Sequence, residues 1–91
     1  GRVEAISQQV QACAFGQASA SLAAGHAAGR GRDEVAEALT GLSGWLTGER
    51  GDPGDWPGLE ALAPARSRTG RHGAILLPFR ALLSAIEAAR R

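Results

Sequence analysis

The sequence predicts an α+β domain in which a small antiparallel sheet, with at least one strand in this chain, packs against several helices. Two observations lead to this prediction. Residues 3–12 roughly alternate in polarity, as a half-exposed strand does. Two later segments, residues 33–48 and residues 73–89, carry apolar side chains at helical spacing instead. We expect residues 1–91 to form a single domain, because a chain of this length supports one small core.

The predicted strand comes first and has no second strand downstream. Ile6 and Val10 would lie on one face of it, and Val3 and Ala5 on the other. Since a lone strand cannot satisfy its own edges, its partners would come from upstream residues or from a second copy of the chain. The chain has no methionine and opens directly with an apolar-rich stretch, so we also expect it to be truncated on its N-terminal side.

Helices are predicted for most of the remaining sequence. Residues 17–28 are rich in alanine, serine and leucine, which favours a closely packed helix that ends near Gly29. The next helix begins after Arg32 with two acidic residues and ends near Gly48. Its apolar positions are Val35, Ala38, Leu39, Leu42, Trp45 and Leu46.

Two turn-rich stretches precede the last helix. Residues 49–58 are dense in glycine, proline and aspartate, which is typical of a loop, and Trp56 within them is interpreted as a packing anchor. A short helical turn is predicted for residues 59–63, followed by a positively charged irregular stretch, residues 64–70. The last helix runs from about Gly73 or Leu77 to residue 89, because Pro78 is tolerated only in a first turn.

Composition excludes several classes of function. The ten basic residues are all arginines, they are spread along the chain, and the net charge is only +1, so nucleic-acid binding is not expected. A single cysteine cannot form an intramolecular disulfide. No signal-like or membrane-length apolar run is evident in the sequence, so we predict a cytoplasmic protein without a membrane partner.

Cys13 and His72 are the candidate metal ligands. Cys13 follows the predicted strand just before a helix, where backbone N–H groups would favour the thiolate. His72 precedes the last helix, whereas His26 is interpreted as a surface or packing residue. One cysteine and one histidine complete neither a four-ligand zinc site nor an iron–sulfur cluster site. Carboxylates could contribute, or two copies could pool their ligands; the candidate carboxylates are Asp33, Asp52 and Asp55.

No sequence motif of an ordinary enzyme is present. The chain has no nucleophile elbow, phosphate-binding loop, Cys-x-x-Cys pair or His-Glu-x-x-His helix. We therefore predict that the protein is not an enzyme.

Two sequence motifs resemble those of the NifU-, IscU- and SufU-type iron–sulfur cluster assembly scaffolds. Residues 12–21, Ala-Cys-Ala-Phe-Gly-Gln-Ala-Ser-Ala-Ser, are similar to the family's Gly-Cys-Ala turn and following Ala-Ser-Ala-Ser helix. Residues 72–76, His-Gly-Ala-Ile-Leu, are similar to its second ligand motif, with Gly73 where the family has cysteine. The loop of residues 49–70 resembles the insertion of the SufU-like branch, and the family's proline-rich chaperone-recognition stretch is replaced by residues 66–70.

This resemblance implies an IscU-like fold and a role in receiving sulfur from a cysteine desulfurase and iron from a donor. The residues carried over are Cys13 and His72, and the implied cargo is an iron–sulfur cluster or zinc, or none at all. A homo-oligomer is possible in this reading. Two alternatives stay open: a structural or interaction helical module in which Cys13 packs without metal, and a zinc-dependent sulfur-acceptor partner of a desulfurase.

Overall fold

The computed structural model describes the backbone of residues 2–89 and the side chains of residues 14–89. It contains three α-helices: α1 (Arg2–Gly25), α2 (Arg32–Thr47) and α3 (His72–Ala89). Two 3-10 helices, Leu59–Ala65 and Thr69–Arg71, lie between α2 and α3. No strand occurs among residues 2–89, so the architecture of the described chain is all-α.

The prediction of an α+β, IscU-like fold with a strand at residues 3–12 is therefore wrong for the described chain. These residues form the first half of α1. Val3, Ile6 and Val10 are also spaced by three and four residues, which suits one face of a helix. The residues between them are mainly glutamine, glutamate and alanine, which are good helix formers. A strand would also have left its backbone groups without partners.

The helices predicted downstream are largely confirmed. α2 has the expected bounds, and Gly48 ends it in the left-handed conformation with φ of 86°, which glycine adopts without strain. The predicted turn at residues 59–63 is a 3-10 helix that extends to Ala65. The predicted start near Gly73 is confirmed, because α3 begins at His72, whereas the expectation that Pro78 lies in the first turn is wrong, because Pro78 is in the interior of the helix. The backbone partner that proline removes is the carbonyl of Ala74, an exposed residue.

α3 lies between the other two helices and contacts both. The hydroxyl of Ser19 on α1 donates a hydrogen bond to the carbonyl of Ile75, and Trp56 connects the carbonyl of Leu22 to the ring of Phe79. Residue numbers thus rise together along both helices, so α1 and α3 are parallel. α2 is antiparallel to α3, because Arg32 at its start lies 3.9 Å from Glu87 near the end of α3.

The core fills the space between α3, α2 and the first 3-10 helix. Its fully buried members come mainly from the elements after residue 34, and α1 adds Ala23 together with half-buried side chains. The largest fully buried apolar side chains are Phe79, Leu42, Leu59, Leu62, Ile75 and Val35.

An arginine and a tryptophan lie together at the C-terminal end of both α1 and α2. Arg30 stacks 4.6 Å from the ring centre of Trp56 and donates to the carbonyl of His26. Arg66 stacks 5.0 Å from the ring centre of Trp45 and donates to that residue's own carbonyl. The last carbonyls of a helix lack partners within it and attract cations, so both arginines stabilise helix ends.

Two glycines on α2 allow the following loop to lie directly on the helix. A Cβ atom at Gly41 would come within 2.7 Å of the carbonyl oxygen of Pro53, and one at Gly44 within 2.8 Å of the Arg50 side chain. Gly16 on α1, by contrast, has open space around it.

By length and composition, one helical stretch among the described residues, Thr69–Ala89, reaches the range of a membrane span. No such run was expected from the sequence. The window is 17% buried within the fold, and a single helix of this kind is weak evidence for a membrane.

Replacing Ser19 with alanine tests the connection between α1 and α3. The change leaves the buried carbonyl of Ile75 without this donor, and we expect the free energy of unfolding to fall by about 1–3 kcal/mol. Urea unfolding of Ser19→Ala measures the loss. Ser21→Ala, at an exposed position of the same helix, is the control and should change stability by no more than about 0.5 kcal/mol. Equal effects at both positions would contradict the assignment.

Alanine at Gly41 and at Gly16 should have opposite effects on stability. Alanine favours a helix by about 1 kcal/mol over glycine, so Gly16→Ala should stabilise the protein. Gly41→Ala should destabilise it by about 1–3 kcal/mol, because the new methyl group meets backbone rather than a flexible side chain. Thermal unfolding of the two variants checks the signs. Stabilisation by both would show that the loop does not rest on α2.

Candidate functional site

His72 is the first residue of α3, and its ring is held by backbone groups. The Nε2 atom lies 3.1 Å from the carbonyl oxygen of Ala65 and 3.2 Å from that of Arg66. Both partners are acceptors, so Nε2 carries the hydrogen and donates it. In the neutral ring, the remaining lone pair is then on Nδ1.

Contacts of this kind fix the tautomer and the ring orientation of His72. A metal-binding histidine typically donates its second ring N–H to a carbonyl or carboxylate, which sets the tautomer and the direction of the ring. His72 makes such contacts through Nε2 and keeps Nδ1 as the atom available to a metal ion or proton. The half-buried ring therefore has one structural and one chemically available nitrogen.

The same hydrogen bonds join His72 to the start of a short, positively charged segment, residues 65–71, which we call the basic turn. Its arginines are Arg66, Arg68 and Arg71. Its backbone is ordered by hydrogen bonds from the Arg68 amide to the Ala65 carbonyl, 3.0 Å, and from the Arg71 amide to the Arg68 carbonyl, 2.9 Å. Within the described side chains, none of the three arginines forms an ion pair. Residues 61–86 contain no acidic residue at all.

α1 extends toward this end of the molecule. It contacts the second 3-10 helix, which is part of the basic turn. Cys13 precedes Ser19 by six residues, about 9 Å along a helix axis, and His72 precedes Ile75 by three residues, about 4.5 Å. Because α1 and α3 are parallel and joined at Ser19 and Ile75, the backbone of Cys13 and the start of α3 belong to the same end of the helix pair.

The placement of Cys13 at a strand–helix junction is wrong, since the residue lies in the middle of α1. A helix N-terminus therefore does not stabilise its thiolate. The Cys13 side chain, and with it the predicted proximity to His72, lies outside the residues whose side chains the structure describes.

The candidate carboxylates do not complete a metal site. In the part of the chain with described side chains, no group of three or more histidine, cysteine, aspartate or glutamate side chains could hold a metal ion. Asp33 pairs with Arg32 at the start of α2, and Asp52 pairs with Arg50 in the loop. The metal-binding character expected of the chain therefore has no complete site among these residues, and they do not fit a cluster or structural zinc.

Asp52 and Asp55 instead line a cleft between α2 and the loop that follows it. The cleft has a volume of about 390 Å³, and Ala38 and Trp56 contribute apolar lining. Its charged residues include two arginines that are each bound to a carboxylate. These charged residues are Arg30, Glu34, Glu37, Arg50, Asp52 and Asp55.

Two sequence interpretations of other residues are confirmed. Trp56 is a packing anchor: it is 3% exposed, donates to the Leu22 carbonyl at 2.9 Å and packs edge-on against Phe79. His26 lies on the surface, after the end of α1. Sequence reasoning missed Ser19, although its spacing from Phe15, Leu22 and Ala23 indicates the buried face of a helix.

No protein family, curated protein or solved structure matches this chain.

The contacts of His72 predict a single neutral tautomer. We expect nitrogen NMR under alkaline conditions to show the hydrogen on Nε2 of His72, because two carbonyls accept from that atom. The exposed His26 is the internal control and should show a mixture of tautomers. A hydrogen on Nδ1 of His72 would mean that the ring does not bind the basic turn as described.

Proposed function

We propose that this chain is a scaffold-like protein of iron–sulfur cluster assembly whose Cys13 accepts sulfur from a cysteine desulfurase. The observation that carries the proposal is the orientation of His72. Its Nε2 atom is bound to two carbonyls at the end of the molecule toward which α1 and Cys13 extend, and Nδ1 is left available. The motifs around Cys13 and His72 support the same assignment through their resemblance to the scaffold family.

Sulfur transfer requires only one thiol of this chain. The Cys13 thiolate attacks the outer sulfur of a persulfide on the desulfurase. The sulfur–sulfur bond of the donor breaks, its electron pair leaves with the donor's cysteine as a thiolate, and a new sulfur–sulfur bond forms on Cys13. Atoms and electrons balance without an added oxidant or reductant.

His72 is proposed as the second functional residue of this end. Through Nδ1 it would accept a proton or contact the delivered cargo, while Nε2 keeps the ring in place. Iron, zinc or a cluster would be cargo rather than a resident cofactor, because the described residues supply no complete ligand set. Further ligands would come from a second copy or from the delivering partner.

Sulfur acceptance is tested by incubating the protein with a cysteine desulfurase and free cysteine. We expect a mass increase of one sulfur atom on Cys13, removed by a thiol reductant and absent in Cys13→Ser. Because the chain has one cysteine, intact-mass measurement assigns the site. Iron and zinc contents should be below one per chain, lost in Cys13→Ser and reduced in His72→Ala.

His26→Ala is the matched control for His72→Ala, since it removes an exposed histidine from the same chain. It should leave sulfur acceptance and metal content unchanged. A protein that takes up no sulfur and keeps no metal would contradict the proposal and favour the helical interaction module. The observation on the side of that module is Leu77 on α3, a large apolar side chain that is 62% exposed.

A further inference from the structure

We infer that the basic turn, residues 65–71, is a docking surface for an acidic segment of a partner protein. This inference rests on the proposed function, because the partner it serves is the one that delivers or receives cargo at Cys13 and His72. It names a property that the proposed function does not require, namely that recognition at this end is electrostatic.

The first argument is the distribution of charge. The chain is nearly neutral overall, with ten arginines and nine acidic residues. Residues 61–86 nevertheless carry four arginines and no acid, while eight of the nine acids precede residue 61. This end of the sequence is therefore strongly positive within a nearly neutral protein, which is the condition under which a partner of opposite charge is steered to one surface.

The second argument is that the arginines of the basic turn have no carboxylate partner among the described side chains. The arginines that form ion pairs in the described chain are Arg30, Arg32 and Arg50, all outside the basic turn. Arg66 is held against Trp45, but its charge has no carboxylate partner among the described side chains. Arg68 is exposed and Arg71 is half-buried. Guanidinium groups pair well with carboxylates in bidentate geometry.

The third argument is that the backbone of the surface is ordered in advance. The ring of His72 closes the basic turn, and successive i to i+3 hydrogen bonds order its backbone. A partner that binds such a turn loses less conformational entropy than one that must order a flexible loop. α3 begins at His72, directly after the basic turn, and the positive end of its helix dipole adds to the attraction for anions.

An acidic protein segment fits this surface better than a nucleic acid. Three arginines can neutralise only a few charges, whereas nucleic-acid binding generally uses a longer basic stripe.

Binding of a synthetic oligoglutamate peptide tests the inference on the intact chain. Calorimetry should detect binding that weakens as salt is raised, and oligoglutamine of the same length should not bind. The double variant Arg68→Gln/Arg71→Gln should weaken binding by at least about tenfold. Arg68→Lys/Arg71→Lys keeps the charge and should retain most of the affinity.

The matched control is Arg32→Gln/Arg80→Gln, which removes the same charge from positions outside the turn and should change affinity less than twofold, that is, by under about 0.4 kcal/mol. Equal weakening by both double variants, or no binding of oligoglutamate to the unmodified chain, would overturn the inference. Tighter binding of an oligothymidylate of the same length would overturn it in favour of a nucleic acid.

The two proposals fail separately. Sulfur acceptance by Cys13 from a low-molecular-weight persulfide needs no docking surface, so its absence would count against the proposed function alone. Sulfur acceptance combined with equal affinities of the two double variants would reject only the acidic partner.

Discussion

The parallel contact between α1 and α3 is the constraint on which the rest of the structure depends. Most of the core lies on the side of α3 that faces away from α1. The contact of α1 with α3 is made mainly by small and half-buried residues. The hydroxyl of Ser19 fixes the register of this contact, since it is the one fully buried polar side chain among those described and bonds to a carbonyl of α3. A slip of one turn would leave the buried hydroxyl of Ser19 without this partner.

That register also determines which residues share an end of the molecule. α1 carries Cys13 toward the start of α3, where His72 and the basic turn lie. At the opposite end of the molecule, the start of α2 lies beside the end of α3. Trp45 and Trp56 each pack beside an arginine, and that arginine donates a hydrogen bond to a backbone carbonyl at a helix end.

Local pattern predicted the elements whose packing face is long and regular. α2 was predictable because its apolar residues keep helical spacing for about three turns and a glycine ends it. Residues 3–12 were not, because the spacing of four between Ile6 and Val10 fits one face of a strand as well as one face of a helix. The position of Pro78 within α3 was mispredicted for a different reason. A lost backbone hydrogen bond costs less free energy where the carbonyl that loses its partner belongs to an exposed residue. For the candidate site, the sequence predicted only which residue types take part, a cysteine and a histidine, and not how they are arranged.

Composition and local spacing alone establish that this is a small, nearly neutral chain with amphipathic helices in its second half, one thiol, two imidazoles and a positive stretch before its last helix. They suffice for those properties because each depends on neighbours in the chain. Three-dimensional contacts were needed to establish which nitrogen of His72 is bound and that α1 and α3 run in the same direction. They also established that the arginines of the basic turn have no carboxylate partner among the described side chains. These properties depend on contacts between residues far apart in the chain, and local sequence does not encode such contacts.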